Sequence, residues 1–201
     1  MHKKLKRLRN GFEPTATKKI MPNQVRKIIE QYARFRCNLI INPDDLDYQA
    51  ETAMDKLIEN CHTDFRLGVL ALSDTVDLRI NREIDFAKNK TKASKVQLGI
   101  LTDFQFALDE ALVNAFRGAS ASERGKMQQV TACAMRSNVA AAAAYRNRGF
   151  ADRAQSTECC AIVLRNLGLQ MQKVANAENN LTTPRSLWKL CLKFAEQCAI
   201  I

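Results

Sequence analysis

The sequence contains few proline, glycine and aromatic residues. It contains 4 Pro and 7 Gly among 201 residues, and 6% of its residues are aromatic. No proline lies between Pro43 and Pro184. Because proline interrupts helices, its absence permits long helices in this stretch. Because 46% of the residues are apolar and Ala, Leu, Lys and Arg are abundant, the composition favours helix over sheet and argues against a disordered or collagen-like chain. A chain of this length can bury a core without metal or disulfide staples.

Histidine is also scarce, and this scarcity bears on every site that uses imidazole. Only His2 and His62 are present. Glu59 and His62 have the ExxH spacing of carboxylate-bridged metal bundles, but such sites need the motif twice. The cysteines lack CxxC spacing, a nucleophile inside the fold would have only His62 as a base, and no GxGxxG or GxxxxGK[ST] loop is present. We therefore predict no enzyme activity, no metal site and no cofactor.

Long apolar runs are absent as well. No uncharged apolar run reaches the length of about 18 residues that a membrane-spanning helix needs. The first 20 residues lack the apolar stretch of a signal peptide. The 7 cysteines are odd in number and lie in apolar segments, which is typical of a reducing compartment and of cysteines used as small core residues. We expect a soluble protein without membrane contact, either cytoplasmic or inside a particle.

Apolar residues recur at steps of three and four, which predicts an all-α fold, an antiparallel bundle of five to six helices. The first helix begins at Pro22 and ends before Pro43. The acidic residues of segment 44–47 favour the start of a second helix, which is expected to continue to about Lys90. A break is expected near Gly68 or at the serine five residues later, and the same stretch is also compatible with a strand or a loop.

The next two helices are defined by their ends. Ser94 is expected to cap a third helix that ends at Gly118 with a left-handed C-cap. Ser120 is expected to begin a fourth helix, which closes at Gly149. The alanine run 140–144 in this helix allows a close approach of a neighbouring helix, because small side chains let the axes come nearer.

The C-terminal part of the sequence predicts two more helices. One runs from Ala151 to Asn179, and Thr183 with Pro184 begins another. That last helix has many apolar residues for a terminal segment, so we expect it to be buried in the core or against another subunit. The prediction is a homo-oligomer or a protein partner, held through apolar helix faces that include Trp188, Leu192 and Phe194.

Positive charge is concentrated at the N-terminus. The net charge is +10, and residues 1–20 contain seven cations against Glu13 alone. So dense a block of charge favours a polyanionic partner, which makes RNA or DNA the expected ligand. The pattern predicts a basic, largely extended arm over residues 1–21 and a single domain over 22–201. The cations of the arm that are predicted to contact nucleic acid are Lys3, Lys4, Lys6, Arg7, Arg9, Lys18 and Lys19.

A second basic patch combines cations with aromatic rings at a predicted turn between helices. Arg146, Arg148 and Arg153 can engage phosphates, while Tyr145 or Phe150 can stack on an unpaired base. In the alternative interpretation, the first two arginines satisfy the C-terminal carbonyls of the preceding helix and Phe150 packs inward.

In the first helix, Arg26 and Lys27 continue the positive field of the arm. A helix-turn-helix in segment 123–148 is a weaker hypothesis, because the glycine often found in its turn is absent. The leading prediction is a non-enzymatic nucleic-acid-binding accessory or packaging protein, which contacts the backbone without reading bases, within a ribonucleoprotein, a polymerase complex or a particle. The competing prediction is a helical oligomerisation or assembly protein that docks a protein partner, with the arm as a solvated tail or a localisation signal.

Overall fold

The computed structural model describes residues 20–41 and 48–178, and all regular structure in these ranges is helical. The predicted all-α class is therefore confirmed for this part of the chain. The basic arm up to Lys19, the acidic segment 44–47 and the helix predicted after Thr183 lie outside the described residues. The described helices are α1 (Pro22–Ile41), α2 (Tyr48–Thr63), α3 (Phe65–Asn89), α4 (Lys92–Gly118), α5 (Ala121–Asn147) and α6 (Ala151–Glu178).

Helices α3 and α4 pack side by side in opposite directions. Nε of Arg79 on α3 donates a hydrogen bond to Gln105 on α4 (2.9 Å), and the Ser94 hydroxyl near the start of α4 donates to Asp85 near the end of α3 (2.6 Å). A leucine of α4 packs directly over Gly68 of α3, where an added Cβ would lie 2.7 Å from a terminal methyl of that leucine. The absence of a side chain at this position therefore makes room for the leucine.

Helices α5 and α6 form a second antiparallel pair, and theirs is the most extensive contact between helices of the described residues. The hydroxyl of Thr131 on α5 lies 3.9 Å from the sulfur of Met171 on α6. Helix α6 also returns along α3, where the Cys160 thiol donates to the carbonyl of Ser73 (3.3 Å). As a result α6 joins the α5 side of the molecule to the α3–α4 pair.

Helix α3 lies at the centre of the core. It packs against α1, α2, α4, α5 and α6 and contributes nine buried residues. Burial of apolar side chains at this density is the main source of stability in a helical protein, because isolated helices are marginal in water. The largest fully buried apolar side chains of the described residues are Phe116, Ile29, Met54, Leu57, Leu72, Leu164, Leu167 and Met171.

The break in the predicted second helix lies at Asp64, not near Gly68 or Ser73. The Asp64 backbone is extended (φ −126°, ψ 95°), and its carboxylate accepts hydrogen bonds from the N–H groups of the next turn at 3.1 and 3.3 Å. Capping by this side chain begins α3. Gly68 and Ser73 lie inside α3 instead, so the stretch that was compatible with a strand or a loop is helix.

Helix α4 ends at Gly118 as predicted, but its predicted N-cap and its predicted left-handed C-cap are wrong. Thr91, not Ser94, is the N-cap of α4, and its hydroxyl accepts from the Ser94 N–H (3.1 Å). Ser94 lies in the first turn of α4, where its hydroxyl donates a hydrogen bond to Asp85. Gly118 is still helical, and the C-cap that follows is extended rather than left-handed. The Arg124 side chain satisfies two carbonyls of the last turn of α4, which removes the need for a left-handed glycine.

The start of α5 is as predicted. Ser120 and Glu123 form a reciprocal capping box, in which each side chain binds the backbone N–H of the other residue. Segment 123–148 is continuous helix up to Asn147, which excludes the helix-turn-helix hypothesis. Of the alanine run, only Ala142 is buried, so most of its methyl groups face solvent.

Candidate nucleic-acid interface

The turn between α3 and α4 lies beside the turn between α5 and α6. Nζ of Lys88, in the last turn of α3, is 3.1 Å from Oδ2 of Asp152, in the first turn of α6. Both side chains are well exposed, so this ion pair adds little stability by itself. Its importance is geometric, because it joins two basic turns that are far apart in the sequence.

The α3–α4 turn carries four exposed lysines and no acidic residue between the first and the last of them. Lys90 adopts a left-handed backbone conformation (φ 51°) and ends α3, with its N–H bonded to the Phe86 carbonyl (2.8 Å). This conformation is uncommon for a residue with a side chain. The lysines of this turn are Lys88, Lys90, Lys92 and Lys95.

The α5–α6 turn is closed by its backbone. Gly149 adopts a positive φ of 79°, which glycine reaches without steric cost, and the Phe150 N–H donates to the Tyr145 carbonyl (2.9 Å). The rings of these two aromatic residues meet edge to face with centroids 6.4 Å apart. The Arg153 guanidinium lies 5.9 Å from the centroid of Tyr145 and 5.7 Å from that of Phe150.

These contacts bring the predicted residues of the patch together. The three arginines differ in the partners that they contact. Arg146 forms an ion pair with Glu158 of α6, whereas Arg153 is engaged by the two rings. Arg148 is exposed. Phe150 is 50% exposed, so the alternative in which it packs inward is not what the structure contains. The Arg153 guanidinium therefore lies over both rings, while half of Phe150 remains open to solvent.

The two turns together form a surface that we call the basic end. It has seven cations, and the two stretches that supply them, 88–95 and 145–153, contain a single acidic residue, Asp152. Within residues 20–41 and 48–178, no acidic side chain forms an ion pair with Lys90, Lys92, Lys95 or Arg148. The basic end consists of Lys88, Lys90, Lys92, Lys95, Arg146, Arg148 and Arg153.

The predicted site residues of α1 lie elsewhere. Arg26 binds Asp77 of α3 and also approaches Glu30 on its own helix (3.6 Å), so its charge is compensated within the bundle. Lys27 is exposed beside it. The remaining predicted cations belong to the arm and lie outside the described residues.

The lysines of the α3–α4 turn were missed by the sequence reasoning. Their spacing, with a lysine at every second position from Lys88 to Lys92 and another at Lys95, was a visible local pattern. What the sequence could not reveal is that this turn lies beside the α5–α6 turn, because that relationship depends on the packing of α6 along α3.

The other side chains of the described residues that could bind a metal or act as a nucleophile do not come together in a site. Glu59 and His62 are exposed on α2, and in the part of the chain that the structure describes no three His, Cys, Asp or Glu residues are arranged to hold a metal ion. Burial raises the pKa of the Cys61 and Cys160 thiols to about 12, so these thiols stay protonated and unreactive. Of the helices in residues 20–41 and 48–178, none has both the length and the apolarity needed to cross a bilayer.

Comparison with protein-family models, with curated proteins and with solved structures finds no match for this chain. The role of the basic end is therefore inferred from its own residues. At this end of the domain, exposed cations lie beside a partly exposed aromatic ring, an arrangement with a net positive field that attracts anions.

Proposed function

We propose that this protein is a non-enzymatic nucleic-acid-binding accessory or packaging protein, which contacts RNA or DNA mainly through its phosphates. The observation that carries the proposal is the contact between Lys88 and Asp152, because it joins two basic turns into one surface. Cations arranged in this way attract a polyanion and release its counterions, which gives binding without sequence preference.

The aromatic rings favour single-stranded segments as the ligand. Tyr145 and Phe150 stand beside Arg148 and Arg153, and a base stacked on such a ring gains about 1–3 kcal/mol. A duplex offers no unpaired base to these rings. We therefore expect single-stranded RNA or DNA to bind more tightly than a duplex of the same charge.

The arm is proposed to add a second group of phosphate contacts. Five of its cations, from Lys3 to Arg9, lie at least ten residues before the first described residue, Ile20. Two linked sites of this kind raise the overall affinity through their effective concentration.

The test is a fluorescence-anisotropy titration of the full-length protein with labelled single-stranded RNA, single-stranded DNA and duplex DNA, at low and moderate salt. A triple variant of the basic end, Lys92→Ala with Lys95→Ala and Arg148→Ala, should lower the slope of log K against log salt by about 2 to 3. The matched control removes three exposed cations elsewhere, Lys56, Arg165 and Lys173.

Since both triple variants change the net charge equally, only a local role of the basic end separates them. Equal losses in the two variants would mean that the protein binds by its overall charge, and the assignment of the surface would fail. Absence of binding to every nucleic acid at low salt would overturn the function itself.

One observation favours a second candidate, a helical assembly protein. Phe106 on α4 is 65% exposed, and Ile162 and Leu169 on α6 are 57% and 44% exposed. Helices α4 and α6 are joined nearby through Gln170 and Asp109 (2.7 Å), so large apolar side chains stand out from two adjacent helices. Light scattering of Phe106→Ser combined with Leu169→Ser, against the unaltered protein, tests whether they hold an oligomer together.

A further inference from the structure

A groove separates α5 from the first turns of α3. Its volume is about 840 Å³, and its walls include Phe65 and Leu70 of α3 and Met127 and Val130 of α5. These four side chains are half-buried and pack against the core, so the floor of the groove is continuous with the apolar interior. Apolar surface of this kind is exposed to water unless another element covers it.

We propose that the groove is occupied by segment 184–201 of the same chain. The C-terminal end of α6, from which this segment continues, lies close to the groove. Met171 lies beside Thr131, and α6 runs opposite to α5. At 1.5 Å per residue, Glu178 is about 10 Å further along and therefore level with the first turns of α5.

The connection is long enough to make the turn. The groove begins at the same level, since Glu123 and Lys126 line it. Residues 179–183 can span at most about 17 Å. This exceeds the distance of about 8–10 Å between the axes of neighbouring packed helices.

The length and the pattern of the segment fit the groove. As a helix, 18 residues would extend about 27 Å, and the groove follows α5 from Glu123 to Asn138, which is about 22 Å. Leu187, Cys191 and Phe194 recur at steps of four and three, and Cys198 continues the series. This spacing gives an apolar helix face that can enter a groove.

Tethering favours this occupant over a second copy, while the charges of the segment are compatible with the groove. Lys189 and Lys193 would fall on the polar side of such a helix. The charged residues that line the groove are three carboxylates and two cations, namely Asp64, Asp74, Glu123, Arg66 and Lys126. A segment tethered by five residues has an effective concentration in the millimolar range, which a separate molecule does not reach at ordinary concentrations.

The chain has one tryptophan, Trp188, and it lies in this segment. Its emission wavelength and its quenching by iodide therefore report docking in the full-length protein. We expect blue-shifted emission, weak quenching and no dependence on protein concentration. The variant Val130→Asp places a charge in the groove and should shift the emission to the red and raise the quenching constant several-fold.

The matched control is Val139→Asp, which places the same charge on the same helix at a position that is 37% exposed and outside the groove. It should leave Trp188 shielded. Should Val130→Asp lose its helical circular dichroism, Ala134→Gln blocks the groove more mildly and takes its place. Loss of shielding in the groove variant alone supports the proposal.

Three results would overturn it. They are an exposed Trp188 in the unaltered protein, an equal response to both charge substitutions, or shielding that grows with concentration as the mass in light scattering doubles. The last result would place a second copy in the groove. Because none of these measurements involves nucleic acid, failure here is independent of the proposed function.

Discussion

The hydroxyl of Ser156 on α6 donates a hydrogen bond to Oδ1 of Asp77 on α3, at a position where the serine is 1% exposed. The other oxygen of the same carboxylate accepts from Arg26 on α1 and from Asn81 (3.2 Å). One carboxylate thus holds three helices together through charge-assisted hydrogen bonds.

Removing the serine hydroxyl should destabilise the protein. Ser156→Ala takes away one hydrogen-bond donor to Asp77 at a position where the serine is buried, so we expect a loss of about 1–3 kcal/mol in the free energy of unfolding. Urea denaturation measures it. Ser122→Ala, at an exposed position in α5, is the control and should change the stability by no more than about 0.5 kcal/mol. Equal effects of the two substitutions would contradict the role of the hydrogen bond.

The pH dependence of stability should report Asp74. Burial raises the pKa of this carboxyl to about 6; the nearby Arg26 lowers it, while Asp77 and Glu30 raise it. Since its pKa in the unfolded chain is about 3.9, the folded state binds more protons between these values, and stability falls as the pH rises through this range.

Asp74→Asn removes this penalty. We expect the variant to be more stable than the unaltered protein by about 1–3 kcal/mol near pH 7.5, and we expect the difference to vanish near pH 4. Urea denaturation at the two pH values measures it. Asp103→Asn, at an exposed position on α4, is the control. A pH-independent difference between Asp74→Asn and the unaltered protein would show that the carboxyl is not desolvated.

Three glycines inside helices should respond differently to alanine. At Gly99 and Gly125 an added Cβ meets nothing within 4 Å, so alanine should stabilise each helix by about 0.5–1 kcal/mol. At Gly68 the same methyl group would lie 2.7 Å from Cδ2 of the buried Leu112. Overpacking costs about 1–3 kcal/mol and should outweigh the gain in helix propensity. Thermal unfolding of the three variants measures the order of their stabilities. A Gly68→Ala variant that is more stable than the unaltered protein would contradict the tight packing of Leu112 against Gly68.

Lys90 should show opposite effects on stability and on binding. Its left-handed backbone costs about 1 kcal/mol relative to glycine, so Lys90→Gly should raise the free energy of unfolding by about that amount. The same change removes one cation of the basic end and should lower the salt slope of nucleic-acid binding by about 1. Lys92→Gln, which removes a charge without the backbone gain, is the control. Unchanged binding by Lys90→Gly would exclude this lysine from the interface.

The sequence predicted the features that depend on neighbouring residues. The capping box of Ser120 and Glu123, the closure of α5 at Gly149 and the start of α6 at Ala151 are all determined by contacts within one turn. The start of α1 at Pro22 has the same origin.

Features that depend on tertiary contacts were not predictable in this way. Gly68 resembled a helix breaker in the sequence, but its position against Leu112 explains why glycine is there inside a helix. Gly118 did not need a left-handed conformation, because Arg124 from the next helix satisfies the carbonyls. The basic end required knowing that Lys88 meets Asp152 across the fold.

The unequal burial of α3 and α5 also determines how the native protein opens. Helix α5 fully buries only Thr131 and Ala142, whereas α3 buries nine residues. Helix α5 has fewer fully buried side chains than α3, so its amide hydrogens should exchange with solvent faster than those of α3. The amides of α3, at the centre of the core, should exchange most slowly of the described helices.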